Sequence, residues 1–540
     1  MDGPEPSLAR HETRMNEPTS ETIRLTIDGV EVTVPKGTTV LKAAEQAGIV
    51  VPHYCYHPGI PTRPAQCRMC LVEIEGQPKL QPSCVMTAGD GMNVATQSEA
   101  AREARRSVIE FLLLNHPVDC PICDAAGQCM LQDYAYETGQ LESRFQEAKL
   151  VLGRDRVADD ILYFADRCIL CTRCVRFMRD VAGDEALIVA QRGHKAYIDT
   201  FPGKDLDHEF RGNIVDVCPV GALVHEDFLF KARAWDMDSA PGVCPGCSNG
   251  CNIEIGAKEN QVVRIKPRYN AEVNSYWMCD YGRKHLVMAN RGARVDLPLI
   301  RRDGELEAVH WGEALGWLAE QMPNGGGVGL VSPFESTESI AAFRALLDDA
   351  GISGGSYRID RGHEAQLEGF PRLKLRAERA PNAAAAELFG FSEVDEAPSI
   401  AAGSTLIVVG DRLDDVPAEY ASEAGFFVYL GSHLSDATRN ADVILPITTF
   451  LEMEGTFINH EGRVQRFQQA LVPPGVARPA WMVIRRLLSL AGDGASVLEA
   501  ESAFELAAGE APELAGLAWS SIGPRGVTLQ TDGAAAPSAR

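Results

Sequence analysis

Cysteine is confined to one stretch of this chain: all fifteen lie between Cys55 and Cys279. Their spacing divides them into groups. Cys55, Cys67, Cys70 and Cys84 form C-x11-C-x2-C-x13-C. Cys120, Cys123 and Cys129 follow His116 in the run H-x3-C-x2-C-x5-C. Cys168, Cys171 and Cys174 form a close triplet, with Cys218-Pro219 further on. Cys244, Cys247, Cys251 and Cys279 form C-x2-C-x3-C-x27-C. With His116 the candidate ligands make four sets of four. Four protein ligands complete the tetrahedral coordination of the irons in one iron–sulfur cluster. The pattern therefore implies a conductor of electrons.

The sets differ in the cluster they suit. The triplet closed by Cys-Pro matches the spacing of bacterial 4Fe–4S ferredoxins, and the fourth set also suits 4Fe–4S. The first set suits a 2Fe–2S cluster held by a longer loop than the plant-type C-x4-C-x2-C. In the second, an imidazole replacing a thiolate removes one negative charge, which raises a cluster's potential. Zinc is the rival ligand: a ribbon at the first set, a site of three thiolates and one imidazole at the second, a four-thiolate site at the fourth. Arg167, Arg173, Arg176 and Arg179 surround the triplet. They either offset cluster charge or lie solvated at the surface. An odd cysteine count without a secretion signal argues against disulfides.

The elements that must position these residues are legible in part. Residues 22–34 alternate apolar and polar around Asp28-Gly29, a hairpin signal. A short helix over 39–48 and a cysteine-bearing loop follow, in β-grasp order. Residues 98–114 predict a helix with Ser98 as N-cap and Val108, Phe111 and Leu112 on one face, ending before Pro117. Beyond residue 300, apolar runs at 328–331, 406–410, 426–430 and 443–445 alternate with helical patterns, including 337–350. That is an α/β texture with a parallel sheet.

Composition bounds the rest. A chain of 540 residues holds roughly three or four domains. Net charge is −24, so nucleic-acid binding by phosphate neutralisation is disfavoured. No run reaches the roughly 18–20 apolar residues of a membrane span. The glycine run 325–329 precedes a strand, so it is not a dinucleotide fingerprint turn.

Taken in order, these motifs resemble the G-type subunit of bacterial NADH-quinone oxidoreductase (respiratory complex I), its large iron–sulfur subunit, over about residues 22–470. The matching runs are H-x3-C-x2-C-x5-C, the Cys168 triplet with Cys218-Pro-Val-Gly-Ala-Leu, and the Cys244 set. The Ala441–Pro446 and Glu454–Gln465 blocks resemble the molybdopterin oxidoreductase superfamily.

The resemblance implies a multidomain α+β and α/β chain. Its parts are a disordered extension over 1–20, a β-grasp 2Fe–2S ferredoxin-like domain over 21–97 and a 4Fe–4S domain with one histidine and three cysteine ligands over 98–140. A 4Fe–4S ferredoxin-like region over 141–240 and a 4Fe–4S domain of molybdopterin-oxidoreductase type over 241–300 follow. A molybdopterin-oxidoreductase-like scaffold over 301–495 and an Ala/Gly-rich tail over 496–540 complete it. It also implies one 2Fe–2S cluster on the Cys55 set and 4Fe–4S clusters on the other three. No FMN, NAD or molybdopterin and no catalytic residue are expected on this chain. Expected partners are the FMN- and NADH-binding subunit, a two-cluster ferredoxin-like subunit and the quinone-site subunits. The expected place is the cytoplasmic face of the bacterial inner membrane, with the membrane met only through partners. The implied activity is electron transfer in a proton-translocating oxidoreductase. The alternative is a catalytic subunit like molybdenum formate dehydrogenase or iron-only hydrogenase.

Overall fold

The structure is a computed structural model that describes residues 21–138, 143–285, 292, 294–323, 325–492 and 497–529. The expected disordered extension over 1–20 and the last eleven residues lie outside the described residues.

Strands Thr22–Ile27 and Val30–Pro35 form the expected hairpin. Asp28 and Gly29 both take positive φ, 48° and 84°, as a two-residue turn matched to strand twist requires. Alternation turns Ile23, Leu25 and Ile27 into the core. Strand Asn93–Ala95 runs parallel to the first strand, and Leu71–Ile74 pairs antiparallel beyond it. Thr39 caps helix Val40–Gln46, its hydroxyl accepting from Lys42 N at 3.4 Å. The result is a β-grasp sheet whose long loop carries the first cysteines.

Helix Glu99–Leu113 begins at the Ser98 cap, whose side chain accepts from Ala101 N. Its buried residues are Ala101, Arg105 and Ile109, one turn apart. Val108 and Leu112 pack against this core from its margin, but Phe111 is 73% exposed. The expected face was therefore partly wrong, because the inward stripe advances by four-residue steps and leaves position 111 outside.

Residues 154–285 use few regular elements. Two three-stranded antiparallel sheets and several short helices support long connecting loops. One continuous core nevertheless runs from Tyr54 to Leu471 and includes cysteines of all four sets among its buried members.

The second half is more regular. Six parallel strands run in the order Val443–Pro446, Phe426–Gly431, Thr405–Val409, Gly327–Val331, Gly355–Tyr357 and Ser392–Glu393. An antiparallel hairpin, Leu299–Arg302 with Glu305–Ala308, extends one edge. Helices Thr337–Asp349 and Ala480–Ala491 cover the sheet's apolar residues. The segment expected as a tail is part of this fold: helix Ala500–Glu510 buries Ala503, Phe504 and Ala507. Its alanines give a helix face small enough to pack closely. Among the described residues no helix is long and apolar enough to cross a membrane.

Candidate metal centres

The four thiols of the first set converge. Cys55 hydrogen-bonds with Cys67 and Cys84, and Cys70 with Cys84. These bonds hold Cys55 well below the usual thiol value and Cys70 at about 7. Cys67 and Cys84 are pushed up by the same contacts. Between the ligands the backbone turns left-handed at Ala65 and Arg68, with φ of 52° and 58°. Alternating hand turns successive N–H groups to one side, which makes a concavity for anionic sulfur.

The third set repeats this device. Leu170 and Thr172 have φ of 49° and 59°, unusual for a bulky and a β-branched residue. Leu170 N donates to Cys168 Sγ at 3.3 Å, and the Tyr163 hydroxyl donates to the same sulfur. Cys168, Cys171, Cys174 and Cys218 line one apolar cavity with Ile169, Val220 and Leu223. Burial pushes the Cys168 thiol to about 11 and Cys171 to about 12. A thiolate there is stable only against a bound cation.

In the second set Cys120 is exposed, while Cys123 and Cys129 are buried. The three sulfurs act on one another electrostatically. His116 stands just past the helix end, half-buried. Burial first, then the charges of Lys149 and Arg167, lowers it to about 4, so the imidazole is neutral and free to bind metal. It makes no hydrogen bond to the three thiols among the described residues. Gly221, in the Cys218-Pro-Val-Gly motif, packs on this set: a Cβ there would lie 2.2 Å from Cys123 Sγ. Met130 N donates to Pro219 O at 3.0 Å across the same contact.

The fourth set is the most enclosed, with all four thiols 4% exposed. Gly246 N donates to Cys244, Asn249 N and Arg376 N to Cys247, and Gly282 N to Cys279. Asn249 Nδ2 donates to Cys251 Sγ at 3.3 Å. Amide donors of this kind orient cluster ligands and tune their potential. The Glu454–Gln465 block folds over this loop: Asn459 Nδ2 donates to Asn249 O at 3.1 Å and Gln465 Nε2 to Gly250 O at 2.6 Å. Asn213 and Met278 exchange two hydrogen bonds, tying this set to the helix before Cys218.

Of the four arginines near the triplet, three are buried and one is not. Arg167 pairs with Asp119 at 2.9 Å, beside the second set. Arg173 and Arg176 reach into the first-set loop. Arg179 lies at the surface against Asp180. Among the described residues no three Cys, His, Asp or Glu side chains converge on a single ion. The residues that sequence reasoning missed are Tyr163, Gly221, Asn249 and Arg376. Only Gly221 carried a signal, its place in the Cys-Pro-Val-Gly run.

Comparison with known proteins follows the same order along the chain. Matching family models are a 2Fe-2S iron-sulfur cluster binding domain over 20–99 and an NADH-ubiquinone oxidoreductase-G iron-sulfur binding region over 105–144. Next come the ferredoxin-like domain of NADH-quinone oxidoreductase subunit 3 over 159–224 and the molybdopterin oxidoreductase Fe4S4 domain over 237–291. A molybdopterin oxidoreductase model matches 390–490. The G-type subunit of NADH-quinone oxidoreductase from Rickettsia felis is 30% identical over 587 residues, covering 86% of this chain and 87% of the relative. The Streptomyces coelicolor protein of that name is 40% identical over 337 residues, covering 62% of this chain but 39% of its own length. A chain of an NAD+-reducing [NiFe]-hydrogenase shares 33% identity, covering 40% of this chain and 91% of its own, at a TM-score of 0.36.

Buried thiol sets on a shared core, with matched 2Fe–2S and 4Fe–4S domains, define an iron–sulfur electron-transfer protein. The chain belongs to the family of G-type subunits of NADH-quinone oxidoreductase, and so to the subunits of an oxidoreductase complex.

Proposed function

We propose that this chain carries electrons from an FMN- and NADH-binding subunit towards the quinone-site subunits of a complex I. One 2Fe–2S cluster would sit on Cys55, Cys67, Cys70 and Cys84. 4Fe–4S clusters would sit on His116 with Cys120, Cys123 and Cys129, on Cys168, Cys171, Cys174 and Cys218, and on Cys244, Cys247, Cys251 and Cys279. The bound clusters would supply one-electron relay. The protein's part is to fix their spacing, exclude water and set their potentials through N–H···S bonds and nearby charge. No acid, base or nucleophile is needed here. Proton translocation would belong to partner subunits, and the membrane would be met through them, at the cytoplasmic face of a bacterial inner membrane.

The observation that carries this reading is mutual packing: each set contributes to the surroundings of another. Gly221 of the third-set loop touches Cys123, Arg173 and Arg176 grip the first-set loop, and Asn213 pairs with Met278. Electron transfer needs such short, fixed separations. The test is analysis of the purified chain, with about fourteen irons and as many sulfides expected. Stoichiometric zinc, or a reproducible iron content lower by one 4Fe–4S cluster, would overturn one assignment. Paramagnetic resonance of His116→Ala should alter one 4Fe–4S signal; unchanged signals would remove His116 from the ligands.

The sheet half is proposed to bind no molybdopterin. In an open parallel sheet, ligands bind where strand order reverses, here beyond Gly327–Val331 and Thr405–Val409. That edge carries the Asp411 and Asp415 carboxylates. Cations there are already committed: Arg358 to both aspartates at 2.7 Å and Arg412 to Asp414 at 3.0 Å. A pterin diphosphate would meet negative charge there. Elemental analysis should find molybdenum and tungsten far below one per chain; a stoichiometric amount would favour a formate dehydrogenase-like catalyst.

A further inference from the structure

Two buried guanidinium groups between the first and third sets have no carboxylate partner. Arg173 and Arg176 are 5% and 4% exposed, and among the described residues neither forms an ion pair. Arg167 and Arg283, equally buried, are paired with Asp119 and Asp216. Arg173 donates from Nη2 to Tyr56 O, beside ligand Cys55, and from Nη1 to Val217 O at 3.3 Å, beside ligand Cys218. Its Nε is buried with no hydrogen-bond partner. Arg176 donates to Cys55 O and to Thr62 O at 2.7 Å, both in the first-set loop.

Burying a charge without a counter-charge is strongly unfavourable, and carbonyl oxygens solvate a cation without neutralising it. The charged groups acting on Arg173 are ligand thiols, and those on Arg176 are ligand thiols together with the more distant Asp180, which forms no ion pair with it. Cys171, Cys218, Cys55 and Cys67 act on Arg173, and Cys55 and Cys171 on Arg176. A thiolate-ligated cluster is anionic and gains one more negative charge on reduction.

We propose that Arg173 is a shared counter-ion of the first and third clusters, holding both potentials up and locking their separation, with Arg176 serving the first cluster alone. This rests on the cluster reading above. A fixed positive charge favours the reduced form of each cluster, because reduction adds an electron within its reach. One cation serving two clusters also lets the reduction of one cluster weaken the pull on the other.

The test is a mediated redox titration of the full chain in its loaded complex, followed by paramagnetic resonance. Arg173→Gln should shift the first and third midpoints to lower potential and leave the fourth in place. Arg173→Lys, which keeps the charge, should restore most of both midpoints. Arg176→Gln should lower the first alone. Intact signals with unmoved midpoints in Arg173→Gln, equal shifts of all four, or a lysine variant as altered as the glutamine one would overturn the inference. If Arg173→Gln loses the two signals, retention of both in Arg173→Lys supports the charge role, and loss in both overturns it. A wild-type chain without these signals would instead overturn the cluster reading itself.

Discussion

The two halves of this chain reach similar burial by different means. Residues 299–491 form a sheet of apolar strands, such as the fully buried Thr405–Val409 and Phe426–Gly431, covered by helices on one face and by loops and short helical turns on the other. That half contains no cysteine. Residues 55–285 hold their core with long loops, short helical turns and buried polar side chains between a few regular elements, and the thiols are themselves core members. A regular sheet satisfies its own backbone groups. A loop-built core must satisfy them with specific partners, and here several of those partners are sulfurs. On the proposed cluster assignment the first half depends on what its thiols bind, and the second does not.

Metal removal should separate the halves most sharply. Structural metal sites contribute on the order of 10 kcal/mol to folding. Iron chelation under reducing conditions should abolish slow amide exchange around 55–129 and 168–279, while strands 405–409 and 426–431 stay protected. Equal loss in both halves would break the comparison.

A pH effect of opposite origin belongs to the sheet half. Burial raises Glu335 to about 8, against 4.5 in the open chain. The folded state therefore holds the proton more tightly, and stability is complete below about pH 4.5 and lost as pH rises through 8. The loss is on the order of 5 kcal/mol. Glu335→Gln should flatten this dependence and raise the sheet half's melting temperature at pH 8. An unaltered pH profile would show that the carboxylate finds a compensating partner.

Within the loop-built half, Gly221→Ala places a methyl group against Cys123 Sγ. Overpacking of this kind costs roughly 1–3 kcal/mol. The second cluster's resonance signal should broaden or vanish, while the first cluster, none of whose ligands meets the added methyl, keeps its signal. The smallest effect expected is that of Arg179→Ala. Its ion pair with Asp180 is largely exposed on the arginine side and contributes about 0–1 kcal/mol. All four midpoints should stay in place, in contrast with the buried arginines one and two turns away.

How far the sequence foretold this depends on the kind of signal. The β-grasp hairpin was legible because alternation and Asp28-Gly29 are local. The strands at 405–409 and 426–431 were legible because a doubly covered parallel strand is apolar throughout. The grouping of cysteines was legible from spacing alone. Burial of Arg167, Arg173 and Arg176 was not, since nothing in one sequence distinguishes a solvated arginine from one that spans two loops. The helix at 500–510 was not legible for a related reason: alanine-rich composition suits both a linker and a closely packed helix. The closure of the fourth set by Asn459 and Gln465 was invisible because those contacts span 210 and 215 positions.

That last closure has a consequence for the order of events at the ribosome. The fourth set has all its thiols once Cys279 has emerged, but the residues that seal its loop are made about 180 positions later. At roughly 5–20 residues per second, that leaves a window of roughly ten to forty seconds. During it the loop stays open to whatever delivers iron and sulfide; once Gln465 arrives it is shut. A nascent chain arrested before residue 454 should therefore accept or surrender metal at this set far faster than the finished protein.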